Sequence, residues 1–93
     1  NSIEWNVSTG LVQVYALRFK YMNTSGKPIP VLMKFIDAKR VVLKEDIQIF
    51  PETPDKWKMM STTTGTFINA GHYKVLLSAD TMEGLAFDAL DIQ

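Results

Sequence analysis

An antiparallel β-sandwich is the fold this sequence predicts, and three observations predict it. Apolar residues recur at every second position in separate stretches, as in Ile3-Glu4-Trp5-Asn6-Val7 and again at Tyr73, Val75 and Leu77. Turn signals separate these stretches at intervals of about ten residues. No stretch combines helical spacing of apolar residues with caps.

The elements follow in order. Ile3 to Val7 opens as a strand, and Ser8-Thr9-Gly10 turns the chain. From Leu11 to Met22 the alternation predicts one long strand, with Leu11, Tyr15, Leu17, Phe19 and Tyr21 on one face and Arg18 and Lys20 on the other. Asn23 to Pro28 is a loop by composition, closed by Pro30. Val31 to Ile36 is the next strand. Asp37-Ala38-Lys39-Arg40 makes a hairpin turn into Val41 to Lys44, and Ile47 to Phe50 continues extended.

Two prolines make Pro51 to Lys56 a loop, because they bar both helix and central strand. Trp57 to Thr64 reads as a strand that Gly65 breaks, Thr66 to Ile68 as a short extended piece, and Asn69-Ala70-Gly71 as a tight turn. His72 to Ser78 alternates again, and Ala79 to Gly84 is a loop. The last strand is Leu85 to Ile92. Strict alternation there puts Leu85, Phe87, Ala89 and Asp91 on one side and Ala86, Asp88, Leu90 and Ile92 on the other.

At 93 residues the chain holds one domain with one core, residues 1–93. Hydrophobic residues at 46% and charged ones at 22% are ordinary globular usage. Ten basic residues balance ten acidic ones, which argues against nucleic acid or an anionic membrane as partner and suits a neutral one such as a sugar. No apolar run approaches the ~20 residues of a membrane helix. The absence of cysteine removes disulfides, thiolate nucleophiles and zinc–thiolate sites. The chain opens on Asn1-Ser2-Ile3 without initiator methionine or leader, and is expected to be a segment of a longer polypeptide.

Catalytic signals are sparse. The single His72 starts a strand on the face opposite Tyr73 and reads as a solvated strand histidine. Asp80, Glu83, Asp88 and Asp91 crowd the C-terminal part; Asp80 and Glu83 suit a turn-like loop, and Asp88 is a candidate ligand for a structural Ca²⁺. Aromatics at loop edges are the better functional candidates, since rings stack on the C–H faces of sugars. Trp57 follows a proline-containing loop and reads equally as core or ligand residue. Tyr21 sits where a strand runs into a loop, although its phase with Phe19 and Leu17 favours the core. Trp5, in phase with Ile3 and Val7, is expected in the core.

Four pieces of the chain together resemble the galactose-binding-like carbohydrate-binding modules of the family six and family thirty-five type, which are jelly-roll sandwiches. Tyr15-Ala16-Leu17-Arg18-Phe19-Lys20-Tyr21-Met22-Asn23 is similar to their aromatic-rich strand ending in Asn, and Trp57 to the Trp that opens a later strand. Phe67 to Leu77 and Gly84 to Ile92 resemble their last two strands. The resemblance implies a non-catalytic module that binds an oligo- or polysaccharide through Tyr21, Asn23 and Trp57, with Asp88 helping to hold Ca²⁺. It further implies attachment to the catalytic domain of a glycoside hydrolase, β-galactosidase-type enzymes among them, and an extracytoplasmic location. Two departures stand out. Ala86 lies near the place of a sugar-binding Asn, and the family's Glu-containing first strand has no match here, so the domain either lacks that strand or completes its sheet from neighbouring sequence. The alternative is a structural sandwich that packs against its parent enzyme and binds no sugar.

Overall fold

Apart from one hairpin, the alternating stretches pair with partners far away in sequence, and this arranges the chain as two facing antiparallel sheets. The computed structural model describes residues 1–93. Seven strands follow one another: β1 (Ser2–Thr9), β2 (Ala16–Asn23), β3 (Ile29–Asp37), β4 (Val42–Phe50), β5 (Lys58–Thr63), β6 (Gly71–Ser78) and β7 (Leu85–Ile92). One sheet has the order β1-β6-β3-β4 and the other β5-β2-β7. The predicted all-β sandwich is the fold observed.

Only β3 and β4 form a hairpin; every other connection crosses from one sheet to the other. Asp37 builds that hairpin, its carboxylate accepting from the amides of Lys39 (2.8 Å) and Val41 (2.9 Å). Arg40 takes the left-handed conformation that returns the chain (φ 67°).

The inner faces meet in a core of Leu17, Phe19 and Tyr21 from β2, Ile29, Val31, Met33 and Phe35 from β3, Phe50 from β4, and Tyr73, Val75 and Leu77 from β6. Aromatic edges organise it. Phe50 lies T-shaped against Phe19 (5.9 Å), Tyr21 (5.0 Å) and Phe87 (5.3 Å), while Phe35 stacks on Tyr73. Trp5 packs against this core, half-buried, as its phase predicts.

Three differences from the sequence expectation each have a physical reason, while Ser8 and Thr9, expected in a turn, extend β1 opposite His72 and Gly71. The long strand predicted from Leu11 begins only at Ala16, because β5 and β7 run out opposite Ala16 and Leu17. The residues before it curl into a loop. There the Tyr15 hydroxyl donates to the Leu11 carbonyl (2.7 Å) and accepts from its amide (3.1 Å), leaving the Leu11 side chain exposed. Second, β3 starts before Pro30 rather than after it. A proline is tolerated at that point because β6 joins β3 only from Leu32.

Third, β7 does not alternate strictly. Lys20 pairs with Ala89 and Tyr21 with Phe87, so Asp88 is the extra residue of a β-bulge. The bulge switches the phase of the strand. Leu85 and Phe87 face the core before it, and Leu90 and Ile92 after it, so Ala89 and Asp91 do not share the side of Leu85 and Phe87. A similar shift between Phe35 and Ile36 makes Leu43 the extra residue of β4 and lets it pack on the core.

Candidate functional site

Because the connections cross between sheets, loops collect at the two ends of the sandwich. One end gathers residues 24–28, 51–57 and 79–84. It holds every aromatic and amide residue that the sequence singles out for binding.

Asn23, the last residue of β2, is the hub of this end. It is fully buried, and its side chain makes four hydrogen bonds. Nδ2 donates to the carbonyls of Lys27 (2.8 Å) and Phe50 (2.9 Å), and Oδ1 accepts from the amide and the hydroxyl of Ser25 (3.0 and 2.7 Å). Its backbone amide donates to Thr53 Oγ1 (2.8 Å), and its carbonyl accepts from the Thr53 amide (2.9 Å). One residue therefore ties the 24–28 loop to the 51–57 loop. Its full hydrogen-bonding capacity is spent within the protein, leaving none for a ligand.

Tyr21 is also committed inward. The residue is 3% exposed, its ring packs edge-on against Phe50, and its hydroxyl donates to the Pro51 carbonyl (3.0 Å). Burial pushes the Tyr21 hydroxyl above its ordinary value near 10. The unfolded chain thus loses this proton at lower pH than the folded one. Stability from this group is intact below pH 10 and falls as pH rises beyond it, which alkaline urea titrations read as a midpoint decreasing above pH 10.

Trp57 is the one of the three with a free face. It lies between the proline-containing loop and β5 and is 45% exposed. It makes no close aromatic pair with the core rings. The structure brings Tyr21 and Trp57 to the same end, since Tyr21 pairs with Lys58, but does not open them onto a common cleft.

A cleft that sequence reasoning missed lies at this end, between the 24–28 and 79–84 loops. It measures about 550 Å³ and is lined by Thr24, Ser25, Lys27, Thr81, Glu83 and Gly84 over Ile29. Lys27 and Glu83 line it, and neither belongs to an ion pair. Both loops were legible as loops; their apposition was not, because it follows from β2 and β7 being neighbours. Gly84 makes the apposition feasible. It has φ 87°, and a Cβ there would stand 2.9 Å from both the Ser25 amide nitrogen and its Cβ. The Thr24 amide meanwhile donates to the Gly84 carbonyl (2.8 Å). Gly84→Ala is expected to cost about 1–3 kcal/mol and to widen this contact, measurable as a lowered urea midpoint.

Asp88 stands elsewhere, at the bulge on the outer face. Its carboxylate pairs with Lys20 Nζ at 3.2 Å. No group of three His, Asp or Glu side chains gathers there or anywhere else in the chain. A cation beside a lone carboxylate is a poor donor set for Ca²⁺, which takes six to eight oxygens in a typical site. The residues around Asp88 do not fit the ion.

His72 and Ser8 meet on the outer face of the four-stranded sheet, Oγ to Nδ1 at 3.0 Å, both exposed. No carboxylate bonds to the imidazole, so the pair lacks the orienting acid of a nucleophilic triad.

The sequence matches no protein-family model and no curated protein. Solved structures do share the architecture. An isomalto-dextranase from Arthrobacter globiformis T6, complexed with panose, superposes with a TM-score of 0.78 over 98% of this chain, at 20% identity. A family 35 carbohydrate-binding module from Clostridium thermocellum gives 0.77 over 98% at 23% identity. A family 35 module from an environmental isolate gives 0.75 over 99% at 18% identity. The chain spans 16% of the isomalto-dextranase and 68% and 64% of the two modules. The two antiparallel sheets described above thus form the β-sandwich fold seen in family 35 carbohydrate-binding modules.

Proposed function

We propose that this chain is a non-catalytic carbohydrate-binding module. The observation that carries this reading is the fold: nearly the whole chain superposes on two family 35 modules. The loop end suits a neutral polyol. Trp57 offers an exposed ring for stacking, while Lys27, Glu83, Thr24 and Thr81 offer donors and acceptors for hydroxyls in a cleft large enough for a small saccharide. Tyr21 and Asn23 support this end from inside. The likeness to part of an isomalto-dextranase supports a place beside the catalytic domain of a glycoside hydrolase, and an extracytoplasmic location belongs to the same proposal. Within that class, a β-galactosidase-type parent is the narrower reading.

Glycan-array binding of the folded domain tests this, alongside Trp57→Ala and a Lys27→Ala/Glu83→Gln double variant. The expected result is binding that either variant weakens at least about tenfold, in line with the loss of a stacking anchor or of hydroxyl partners. A folded protein that binds nothing on the array sinks the proposal.

One observation favours the structural alternative. The outer face of the four-stranded sheet carries Ile47 (55% exposed) and Ile49 (50% exposed), paired with Leu32 and Pro30. An apolar sheet face of this kind suits packing against a parent enzyme. Silence on the array would favour that role.

A further inference from the structure

At the end of the sandwich opposite the loop cleft, the register of β1 and β6 sets four polar side chains in a square. Asn6 pairs with Lys74 and Ser8 with His72, and all four are exposed on the outer face, because Val7 and Tyr73 between them turn inward. They rim a hollow of about 300 Å³ that Ala38 also lines. A second hollow, of about 280 Å³, adjoins it between the hairpin after β3 and the 69–71 turn, and His72 and Ala38 line both. The small Ala38 keeps them open. Asp37 pairs with Tyr73, so a larger residue after Asp37 would stand beside the imidazole.

The rim is held in place. Ser8 Oγ and His72 Nδ1 lie 3.0 Å apart, which fixes the ring. The Asn69 carbonyl accepts from the Tyr73 hydroxyl (2.6 Å) and from Thr9 Oγ1 (3.0 Å), tying the turn to β6 and β1. What remains free is a set of donors. A protonated imidazole gives Nδ1–H to Ser8 and keeps Nε2–H for a ligand. The side-chain amides of Asn6 and Asn69 and the ammonium of Lys39 have no hydrogen-bond or ion-pair partner in the chain. Lys74 is held only loosely, by Glu4 at 3.6 Å, with both side chains half-exposed.

Charge points the same way. The charged groups about His72 are Lys74 on its own strand, Glu4 from β1, and Asp37, Lys39 and Arg40 from the end of β3. Lys34, further along β3, is taken up by Glu45 at 3.5 Å. The Asp37 carboxylate is occupied by the amides of Lys39 and Val41. Cations therefore outnumber carboxylates here, and protonation of His72 adds one more. A surplus of donors with a surplus of positive charge fits an anion.

We propose that these hollows form an oxyanion site that takes a sulfate or phosphate group, either free or as an ester on a sugar chain. His72, Lys74 and Asn6 each offer one donor from a separate side chain, so three oxygens of a tetrahedral group find partners. A carboxylate has only two oxygens to give. The site is separate from the loop cleft and does not depend on the sugar reading. Overall charge balance conceals it, because the excess is local.

The chain has a single histidine, so the ring protons of His72 give an unambiguous NMR signal. The test titrates the intact chain with sodium sulfate, against sodium chloride at equal ionic strength. The expected result is a saturable shift of the His72 ring signals by sulfate, with affinity at least about fivefold higher at pH 5.5 than at pH 8. Imidazole is the side chain that gains charge over that range, whereas sulfate keeps its own. Lys74→Met should weaken binding about three- to tenfold. His72→Gln, followed through the amide signals of Asn6 and Lys74, should abolish the pH dependence. These positions are exposed, so the variants are expected to fold as the parent does. The Lys27→Ala/Glu83→Gln variant should bind sulfate unchanged. A sulfated disaccharide that binds more tightly than sulfate, while its desulfated counterpart leaves His72 unmoved, supports the site with an ester as its ligand. Equal binding of the sulfated disaccharide and sulfate supports it with the free anion. Shifts that chloride reproduces overturn the proposal. So does equal affinity at the two pH values, and so does binding that Lys74→Met leaves intact.

Discussion

Replacing Asn23 with leucine is expected to cost about 3–4 kcal/mol of stability, although the two side chains are close in size. The loss comes from what is left behind. Leucine leaves the carbonyls of Lys27 and Phe50 and the amide of Ser25 without the partners that hold them at 2.8–3.0 Å. The Phe50 carbonyl is buried and gains no water in exchange. Small domains have only about 5–15 kcal/mol to lose, so the variant should unfold at much lower urea than the parent. Asn23→Asp makes the cause visible. It keeps the acceptor for Ser25 but sets a carboxylate oxygen against two carbonyls, and it should be at least as destabilising near neutral pH. If either variant matched the parent in equilibrium urea unfolding, the hub role assigned to Asn23 would be wrong.

A loss of similar size, about 3–5 kcal/mol, is expected for Phe50→Ala. Phe50 has no exposed surface, and its ring edge is shared by Phe19, Tyr21 and Phe87. Those three come from β2 and β7 of one sheet, while Phe50 ends β4 of the other. Alanine would therefore leave a cavity between the layers that neither sheet can close without moving as a whole. Phe50→Leu, which fills more of the space, should lose clearly less. Because the Phe50 carbonyl also receives Asn23 Nδ2, the Asn23 and Phe50 substitutions should be non-additive in a double-mutant cycle.

Alternation made most of the strands legible. It assigned Leu17, Phe19 and Tyr21 to one face of β2, and Tyr73, Val75 and Leu77 to one face of β6, and both sets lie in the core. It failed where pairing geometry overrides local pattern. The bulge at Asp88 depends on how β7 meets β2, and nothing within Leu85 to Ile92 announces it. Leu11 alternates in step with Leu17 but has no neighbouring strand to pair with. At the candidate site, the phase of Tyr21 correctly pointed inward, while its place beside a loop pointed to a ligand; burial decided between them. Asn23 gave no comparable clue, since a buried hub and a sugar-binding amide look alike in sequence. The cleft of Lys27 and Glu83 needed two loops 56 residues apart in numbering, 83 minus 27, to be brought together. That is information about topology, which residue pattern does not carry.

The crossing connections also govern how the chain reaches its native state. With one hairpin among seven strands, nearly every ladder must close a long loop before any bond rewards it. Domains built this way fold on a scale of milliseconds to seconds, far slower than bundles of local contacts. The Asp37 turn is the only place where neighbouring segments can zip without waiting for a distant partner. While the other strands are unpaired the edges of β3 and β4 stand open, and the charges of Lys44, Glu45 and Asp46 along β4 disfavour pairing of that edge with another copy.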